Sequence, residues 1–587
     1  MKRLCLCLIW IAIPALLAVS ADAHEGHGPI RRPLKVGQPV SRSAGALVAA
    51  AQQPAGTAQQ PANTAAPAPA PPATVVPPAP APPATVVQTA KGVVFEDANG
   101  NGQRDNGEAG LAGIRVSNGK EIVTTDASGG YSLPVSEDEI VFVIKPRNFM
   151  TPVGPDQLPR FYYIHKPAGS PAHFKFAGVA PTGPLPASID FPLTRRPEPD
   201  RFRALIFGDT QPRDVAEVEY MTHDVIEEVI ANKAHGASLG VTLGDIVFDD
   251  LDVMEPHNRA IALIGIPWYN VIGNHDLNFD AADDRHSDET FERIYGPAYY
   301  SFDHGPTHFL VLDDVTWIAA KDGEKAHYVG GLGERQMEFI RNDLAMIPAD
   351  QLVVLMMHIP LTDVQDRKEL YRLIEKRPAT VSLSAHTHYM EHRFIGEEDD
   401  WQGPEKHHHI VNVTVCGSWW QGRKDERGIP HATMSDGGPN GYSIMDFDGS
   451  TYSLEMRPAG RPADYQMNVY APEVVKQSGE AEATVMANVF AGSEKTIVEM
   501  RVADGSDAAW RPMERFTAED PAYLAEVARE TAAGEIDWRK LPKPHTTPHL
   551  WRCPLPRIST PGTHVIEVRA TDPGGEAVIG RRGIRVE

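Results

Sequence analysis

Cysteine is scarce in this sequence, which has four cysteines among 587 residues. Cys5 and Cys7 lie in an N-terminal segment that we expect to be removed, so Cys416 and Cys553 remain. One disulfide between these two is compatible with an oxidising compartment, but two residues so far apart in sequence do not establish it. Disulfides are therefore not expected to be the main source of stability.

Basic residues are in deficit as well. The chain has 55 Lys and Arg against 78 Asp and Glu, which gives a formal net charge of −23. Binding a nucleic-acid backbone by general electrostatics requires a basic face, so we expect no nucleic-acid partner. A small anionic substrate held by metal ions remains compatible with this charge. The length allows about three or four domains.

Long apolar runs are absent after the N-terminus. The chain begins with Met1-Lys2-Arg3, continues with an apolar run over residues 4–19 and then reads Ala21-Asp22-Ala23. A basic start, a short apolar core and a small-x-small site predict a secretory signal peptide over residues 1–23. The alternative is a membrane anchor, but the run is short for a spanning helix. We therefore expect a secreted or periplasmic protein with no membrane span after cleavage.

Residues 24–90 form an Ala/Pro-rich linker. The ten residues Pro-Ala-Pro-Ala-Pro-Pro-Ala-Thr-Val-Val occupy positions 67–76 and return from Pro78 onward. Proline at this density blocks helix and sheet and favours extended polyproline II. The segment is predicted to be a semi-rigid spacer.

Short strands and turns follow over residues 91–197, where a small N-terminal β-sandwich is the simplest architecture. The predicted strands are 93–95, 115–117, 121–125, 131–133 and 140–144.

A candidate calcium loop lies within this region. Oxygen-bearing side chains fall at positions one, three, five, nine and twelve, with Gly102 at position six, and they are Asp97, Asn99, Asn101, Asp105 and Glu108. This is the spacing of a calcium loop, although no helix pattern flanks it. The alternative is a Gly/Asn-rich hairpin without an ion. The loop and the turns after it resemble the calcium-stapled β-sandwich repeats of bacterial surface proteins, which implies a structural ion.

Five polar clusters, each at the end of an apolar run, dominate the middle of the chain. Short branched-residue runs separated by helical-length segments predict buried parallel strands of an α/β sheet, which places ligands at the carboxyl ends of the strands. Carboxylates, an amide and histidines would then meet at one edge and form a metal site. The clusters are Gly208-Asp209-Thr210-Gln211, Gly244-Asp245, Gly273-Asn274-His275-Asp276, His358 and His386-Thr387-His388.

Helices and further strands are predicted around these clusters. Helical spacing covers residues 214–233, 334–347 and 367–376. Strands return at 481–489, 496–502, 562–570 and 579–586, which predicts a C-terminal β-sandwich over residues 459–587.

Taken together, the five clusters resemble the calcineurin-like metallophosphoesterases over residues 203–448. The family pattern is Asp-x-His, Gly-Asp, Gly-Asn-His-Asp/Glu, a lone His and Gly-His-x-His, and its order is kept here. The flanking regions resemble a bacterial subgroup with an N-terminal β-sandwich and a C-terminal metallophosphoesterase-associated domain. The resemblance implies an α/β core of two sheets flanked by helices (αββα) over residues 198–458, with all-β sandwich domains on both sides.

The resemblance implies two metal ions that share one carboxylate. Asp245 is the natural bridge because a carboxylate offers two oxygens and a charge that offsets two cations, while neutral imidazoles add no charge. Such a pair holds a hydroxide that attacks phosphorus in line. One ion would be bound by Asp209, Gln211, Asp245 and His388, and the other by Asp245, Asn274, His358 and His386.

Three positions depart from the family pattern. Gln211 replaces a histidine, and its harder amide oxygen favours manganese, iron or magnesium over zinc. Ser384-Ala385 stand where glycine usually precedes His386, and we expect little effect.

His275 is predicted to meet the leaving-group oxygen. The aspartate that usually partners this histidine is replaced by Phe248. Asp249 is therefore the candidate partner, shifted by one position, and Asp276 is a candidate orienting group.

Histidines outside the motif order are interpreted as structural. We expect His407-His408-His409 to form a solvated loop and His392 to be structural. The opposing view, that His358, His386 and His388 are themselves surface or core histidines, would hold for one histidine but not for five ordered clusters.

Substrate selection is assigned to loops above the strand ends. Trp419, Trp420 and Arg423 are candidate substrate contacts, with Arg213 as another cation for a monoester. Burial of the tryptophans between domains is the alternative.

The sequence thus predicts a secreted or periplasmic dinuclear-metal phosphoesterase acting on small phosphomonoesters or phosphodiesters. A phospholipid or nucleic-acid phosphodiesterase would use the same metals, but the charge and the lack of an amphipathic membrane stretch argue against it. The non-enzymatic alternative is a surface or cell-wall binding protein with a relic metal site. The natural substrate, the metal identities and the oligomeric state are left open.

Overall fold

A computed structural model describes residues 87–477, 483–503, 509–573, 575 and 577–587. The predicted signal peptide and almost all of the predicted spacer lie outside these residues. The first strand begins at Gln88, two residues before the predicted end of the spacer.

The N-terminal domain contains two four-stranded sheets, with strand orders β4-β1-β8-β6 and β3-β2-β5-β7. Buried residues of both sheets, such as Val94 and Val141, belong to one hydrophobic cluster, which extends into the central domain. The strands are β1 (Gln88–Glu96), β2 (Arg115–Ser117), β3 (Ile122–Thr124), β4 (Gly130–Val135), β5 (Glu139–Val143), β6 (Phe149–Met150), β7 (Tyr162–His165) and β8 (Phe191–Arg195).

The central domain is built on two larger sheets. The first has the order β11-β10-β9-β20-β21 and the second β12-β13-β16-β17-β19-β18, with a β14-β15 hairpin beside them. Its strands are β9 (Arg201–Phe207), β10 (Leu239–Leu243), β11 (Trp268–Val271), β12 (Tyr300–His304), β13 (Thr307–Val311), β14 (Val315–Ile318), β15 (His327–Gly330), β16 (Val353–Met356), β17 (Thr380–Ser384), β18 (Glu391–Ile395), β19 (His407–Val411), β20 (Gly441–Asp448) and β21 (Thr451–Pro458).

Their pattern alone predicted that the five apolar runs share one sheet, and this is not the case. Parallel strands β9, β10 and β11 lie in the first sheet, and parallel strands β16 and β17 lie in the second. Ile206 of β9 and Val354 of β16 belong to the same buried cluster, so the two sheets face each other. The two-sheet core with flanking helices agrees with the predicted fold class.

Helices cover the outer faces of these sheets. The predicted helix over 214–233 is a continuous helical stretch with a π-helical turn at Thr222–Ile226, and it starts where Asp214 accepts a hydrogen bond from Glu217 N–H. The helices are α1 (Val215–Met221), α2 (Glu227–Ala231), α3 (Met254–Ala262), α4 (Glu289–Tyr295), α5 (Gly333–Leu344) and α6 (Arg367–Ile374), with 3₁₀ turns at Leu251–Val253, Asp284–His286, Leu361–Asp363 and Glu397–Asp399 and a left-handed turn at Lys233–Gly236.

The three consecutive histidines form the start of buried strand β19, so the prediction of a solvated loop is wrong. His407 and His409 are buried, and their rings alternate with hydroxyl groups of the neighbouring strand β17. His407 lies 2.8 Å and His409 2.7 Å from Ser382 Oγ, and His409 lies 3.0 Å from Ser384 Oγ. These hydrogen bonds replace the water that the rings lose, which makes burial tolerable.

The C-terminal domain contains two further sheets, with orders β22-β24-β28-β27 and β23-β30-β29-β25-β26. Helix α7 (Pro521–Ala533) was not predicted, although Asp520 caps it and Pro521 occupies its first turn. The strands are β22 (Met467–Tyr470), β23 (Val474–Val475), β24 (Thr484–Val489), β25 (Ile497–Val502), β26 (Arg511–Pro512), β27 (Glu514–Glu519), β28 (Thr546–Pro554), β29 (Gly562–Thr571) and β30 (Val578–Val586).

Among the described helices, none combines the length and the apolar character needed to cross a bilayer.

The N-terminal and central domains are joined by a buried charge cluster. Arg115 of β2 lies 2.8 Å from both Asp303 and Asp343. His308 of β13 lies 2.7 Å from Asp303 and 2.9 Å from Asp343. Burial opposes the charge of this imidazole, but the carboxylates of Asp343 and Asp303 outweigh it and raise the pKa of His308 to about 9.

This cluster predicts a loss of stability at alkaline pH. A pKa raised from 6.5 to about 9 on folding stabilises the protein fully below pH 6.5, and the contribution disappears as the pH rises through 9. The free energy of unfolding should fall by up to about 1.4 kcal/mol per pH unit over this range. We expect His308→Gln to flatten that fall in denaturant unfolding measured from pH 6 to 10.

The exposed His223 provides the control, since its side chain is 58% exposed. His223→Gln should keep the wild-type pH dependence. An unchanged slope in His308→Gln would remove the cluster as its cause.

Candidate metal centre

The predicted ligands converge where the two central sheets meet at the carboxyl ends of their strands. Asp209, Asp245 and Asn274 follow β9, β10 and β11 in the first sheet. His358 and the pair His386 and His388 follow β16 and β17 in the second sheet. The site is thus assembled from both sheets, with one set of ligands from each.

Four predicted ligands form a tight group around the Nε2 atom of His358. Asn274 Oδ1 and His386 Nδ1 both lie 3.1 Å from this nitrogen, and Asp245 Oδ1 lies 3.2 Å from it. The ligand atoms of Asp245, His358 and His386 all lie within 4.8 Å of one another. This group is the set predicted for the second ion.

The set predicted for the first ion lies beside it. His388 Nε2 is 3.6 Å from Asp209 Oδ1, and Gln211 Nε2–H donates a 2.5 Å hydrogen bond to Asp245 Oδ2. The Gln211 amide oxygen faces the thiol of Cys416 instead, 3.7 Å away. Gln211 would therefore bind a metal through oxygen only after its amide turns over.

Backbone carbonyls orient two of the imidazoles. His358 Nδ1 lies 2.9 Å from the Leu243 carbonyl oxygen, and His388 Nδ1 lies 2.6 Å from that of Gly417. A carbonyl can only accept, so each Nδ1 carries a proton and each Nε2 is the atom directed toward the site. Burial opposes a charge on His358, but the Asp245 carboxylate outweighs it and raises the pKa of His358 to about 10. Orientation of this kind is typical of metal-binding histidines.

The loops that carry the ligands have strained backbones. Five predicted ligands have left-handed φ angles: Asp209 (35°), Gln211 (37°), Asp245 (49°), His386 (70°) and His388 (56°). Such residues are uncommon outside glycine and asparagine and cluster at functional sites. The chains also approach closely, since a Cβ at Gly244 would lie 2.5 Å from His358 Nδ1 and one at Gly273 would lie 2.0 Å from Asp245 N.

The electrostatics of the site suit cations. Asp209 is fully buried, and its Oδ1 atom has no hydrogen-bond partner among the described residues. Burial raises the pKa of Asp209 to about 8. Burial lowers the pKa of His386 to about 3 and that of His388 to about 4, so both imidazoles are neutral, the form that ligates metals. Two buried carboxylates, an amide and three imidazoles therefore fit a pair of divalent cations.

His275 stands at the edge of this group with the partner predicted for it. Its Nδ1 lies 2.6 Å from Asp249 Oδ1, and its Nε2 lies 4.0 Å from Asp245 Oδ2. The Phe248 ring stacks on the His275 imidazole with a centroid distance of 4.5 Å, and the Arg213 guanidinium lies 4.6 Å from the centroid of the Phe248 ring. Burial lowers the pKa of His275, but Asp245 and Asp249 outweigh it and leave that pKa raised.

Two further carboxylates hold the ligand loops. Asp276 accepts hydrogen bonds from the N–H groups of Ile246, Val247 and Gly273, which fixes the loop around Asp245. Asp314 accepts from the N–H groups of His358 and Ile359, at 3.0 and 3.2 Å. The sequence reasoning missed Asp314. The sequence did contain a pattern that could have indicated it. The apolar run 309–312 is followed by Asp313-Asp314, in the same way that each of the five polar clusters follows an apolar run.

The predicted substrate contacts are scattered. Trp419 is half-buried, and its ring contacts that of the predicted ligand His388 with a centroid distance of 4.0 Å and a tilt of 31°. Trp420 is 2% exposed and its indole N–H donates to the Thr210 carbonyl, which leaves it no surface for a substrate. Arg423 lines a separate cavity between the 423–440 loop and the C-terminal domain.

The predicted calcium loop is closed by hydrogen bonds among its own polar groups. Asp105 Oδ2 accepts hydrogen bonds of 2.8 Å from the amides of both Asn99 and Asn101, and Glu108 accepts from the Asp105 N–H. Asp97 accepts from three backbone N–H groups of the loop. The calcium assignment stays a prediction.

A second trio with metal-binding side chains, Asp138, His286 and Glu289, already contains a cation. The ammonium group of Lys166 contacts Asp138 at 2.7 Å and also Glu289. We therefore assign no metal to it. Cys416 and Cys553 are both buried, unpaired thiols.

Three family models match the chain. They are N terminal of Calcineurin-like phosphoesterase (residues 98–180), Calcineurin-like phosphoesterase (202–390) and C terminal of Calcineurin-like phosphoesterase (408–577). The comparison with curated proteins gives no match.

Two solved structures show distant similarity. A dimetal phosphatase from Danio rerio is 12% identical, with 44% of this chain and 96% of that chain covered and a TM-score of 0.30. The purple acid phosphatase PPD1 from yellow lupin (Lupinus luteus) seeds is 13% identical, with 59% of this chain and 66% of that chain covered and a TM-score of 0.33. TM-scores this low support no conclusion about the present chain.

Position 211 offers a test of the first metal site. If residue 211 belongs to the coordination shell, Gln211→His should increase zinc affinity relative to manganese by about tenfold, because imidazole is the softer ligand. Calorimetric titration of metal-free protein with each ion measures this ratio. The exposed Gln365 supplies the control, and Gln365→His should leave the ratio unchanged. An unchanged ratio in Gln211→His would place residue 211 outside the shell.

Proposed function

Because the chain belongs to the calcineurin-like phosphoesterase family, we propose that it hydrolyses small phosphoesters at the site between its central sheets. It is a metal-dependent phosphoric ester hydrolase, and its substrate class and mechanism are the subject of this proposal. The convergence of Asp245, Asn274 and His386 on the Nε2 atom of His358, at 3.1 to 3.2 Å, carries it. The non-catalytic alternative finds no support here, because the strained loops aim ligand atoms at one point.

The residues of the site have separable roles in this proposal. When bound, a pair of divalent cations supplies an activated water and neutralises charge on the phosphoryl oxygens. Asp209 and Asp245 supply the negative charge that retains the cations, and the neutral imidazoles complete the coordination. Asp276 and Asp314 keep the ligand loops in place through backbone N–H groups.

His275 is proposed to protonate the leaving-group oxygen. Its Nδ1 is held by Asp249, so its Nε2 faces the site beside Asp245. The side chain is 24% exposed, which lets it reach a substrate that enters from solvent. Stacking by Phe248 fixes the plane of the ring. This geometry suits a general acid that is oriented by a carboxylate.

We further propose a preference for phosphodiesters over phosphomonoesters. A monoester dianion carries an additional charge, and the sequence offered Arg213 and Arg423 to meet it. Arg213 lies 3.2 Å from Glu217 and also donates to the Trp419 carbonyl oxygen, at 2.5 Å. Arg423 faces a different cavity. Neither of these cations is therefore available to a substrate phosphate.

Export and the calcium ion are part of the same proposal. The basic start, the apolar run over residues 4–19 and Ala21-Asp22-Ala23 support a secreted or periplasmic location. The calcium-loop spacing of the oxygen-bearing side chains over residues 97–108 supports a structural calcium ion. Metal analysis of protein purified with and without calcium, together with fractionation of expressing cells, would test both points.

The role of His275 can be tested by removing its side chain. His275→Ala should retain both metal ions and lose about 10²–10⁴-fold in kcat, because a proton donor is lost while the ligands remain. The loss should be smaller for 4-nitrophenyl esters than for phenyl esters, since 4-nitrophenolate leaves without a proton. Metal analysis and steady-state kinetics with added manganese measure both effects.

The exposed His223→Ala variant is the control and should behave as the wild type. Loss of bound metal from His275→Ala would show that this imidazole is a ligand. Absence of turnover in wild-type protein that holds two ions would overturn the proposed function.

The diester preference can be tested by comparing kcat/KM for bis(4-nitrophenyl) phosphate and 4-nitrophenyl phosphate. We expect the diester to be favoured by about tenfold or more, equivalent to about 1.4 kcal/mol. Glu217→Gln removes the carboxylate that neutralises Arg213 and should improve the monoester selectively. A wild-type preference for the monoester would contradict the proposal.

A further inference from the structure

The loop that carries His386 and His388 must be held from outside. Both residues have left-handed φ angles of 70° and 56°, and strained backbone persists only when its surroundings determine it. On one side Asp209 Oδ2 accepts the His386 N–H at 2.9 Å. On the other side Asp436 Oδ2 accepts the Met390 N–H at 3.2 Å, two residues after the ligand His388.

Asp436 is itself held by the C-terminal domain. Its Oδ2 atom lies 3.0 Å from His549 Nε2 of β28, and its backbone carbonyl accepts a 2.9 Å hydrogen bond from Asn488 Nδ2 of β24. His549 Nδ1 lies 2.7 Å from Asn488 Oδ1, and Asn488 Nδ2 also donates to Asp520 Oδ2 at 2.9 Å. All four side chains are completely buried.

A second contact joins the same two regions. The Tyr389 ring, between His388 and Met390, stacks on His545 with a centroid distance of 4.4 Å and an interplanar angle of 17°. The His545 N–H donates to the Ser435 carbonyl, at 2.9 Å, next to Asp436. The ligand loop is therefore held by the hydrogen bond from Met390 N–H to Asp436 and by the stacking of Tyr389 on His545. Both contacts connect the loop to the C-terminal domain.

A domain that served only as an attachment module would not require this arrangement. Burying polar groups costs free energy unless they are fully hydrogen-bonded. An interface of apolar side chains would therefore attach such a domain without this requirement. Here four buried polar side chains connect the sheet β22-β24-β28-β27 to the backbone of the ligand loop. The connection fixes the position of His388 without touching the reacting atoms.

We propose that Asp436, held by His549 and Asn488, is a positioning residue for the His386–His388 loop, so that the C-terminal domain forms part of the metal centre. The inference rests on the proposed metal-dependent function only in that these residues bind the ions. It assigns the C-terminal domain a role in metal affinity. The ligands themselves are the two histidines.

Metal affinity of Asp436→Ala tests this directly. Loss of the acceptor for Met390 N–H should weaken binding of the less tightly held Mn²⁺ ion by about 10–100-fold, as expected for groups that orient metal ligands. Asp436→Asn keeps an oxygen for the Met390 N–H and gives up only the second acceptor, which now serves the Gly438 N–H, so it should lose less than Asp436→Ala. Calorimetric titration of the metal-free full chain with Mn²⁺ measures each dissociation constant without any substrate.

A control separates positioning from general destabilisation. Thr496→Val removes a partly buried hydrogen bond to Asp572 and the acceptor of the Ser493 N–H, both elsewhere in the C-terminal domain. It should lower Tm without changing Mn²⁺ affinity. If Asp436→Ala fails to fold, His545→Ala replaces it, because that variant removes the stack on Tyr389 without unpairing a buried carboxylate. We expect a loss of about threefold in affinity for that variant.

Unchanged Mn²⁺ affinity in a folded Asp436→Ala or His545→Ala variant would overturn the inference, as would an equal loss in Thr496→Val. The proposed function fails by a different result, which is a wild-type protein that binds two ions and hydrolyses no phosphoester. The affinity comparison remains valid in that case.

Discussion

Two carboxylates that have been taken out of water are the constraint on which the central domain depends. Asp209 and Asp245 are at most 1% exposed. Buried negative charge is tolerated only where cations or dense hydrogen bonding offset it. Loops from two sheets place the imidazoles and the amide of Asn274 next to these carboxylates. The strained backbone of the loops aims the ligand atoms at the place where cations would offset the negative charge. The paired sheets themselves supply the rigid edges that such precision requires.

Much of this centre could be predicted because its residues obey a local rule. Each ligand follows an apolar run, and a strand followed by a polar turn can be recognised from sequence alone. The partner of His275 was also within reach, since Asp249 lies one position after the family's usual place. The shift is accommodated by a left-handed φ of 62° at Asp249, which no sequence pattern showed. The allocation of the runs to two sheets depends on long-range pairing, so the runs alone suggested one.

The errors arose where side chains satisfy one another across the fold. His407 and His409 look like surface residues in sequence, but the hydroxyls of Ser382 and Ser384 make their burial possible. Trp420 looks like a binding residue, yet its indole N–H is satisfied by the backbone at Thr210. Asp436 stood out only as part of a motif that resembles the start of the C-terminal extension, because its role depends on a domain that begins later in the chain. In each case the deciding partner is distant in sequence.

The link from β28 through Asp436 to the ligand loop has a consequence for the order in which the protein becomes active. The last of the ligands is His388, whereas the network that steadies it extends to His549 in β28. A chain still emerging from the ribosome would carry all its ligands for some 160 residues of synthesis before that network closes. Hydrolytic competence would therefore arrive late, and a prematurely terminated product would carry the motif without a finished catalyst.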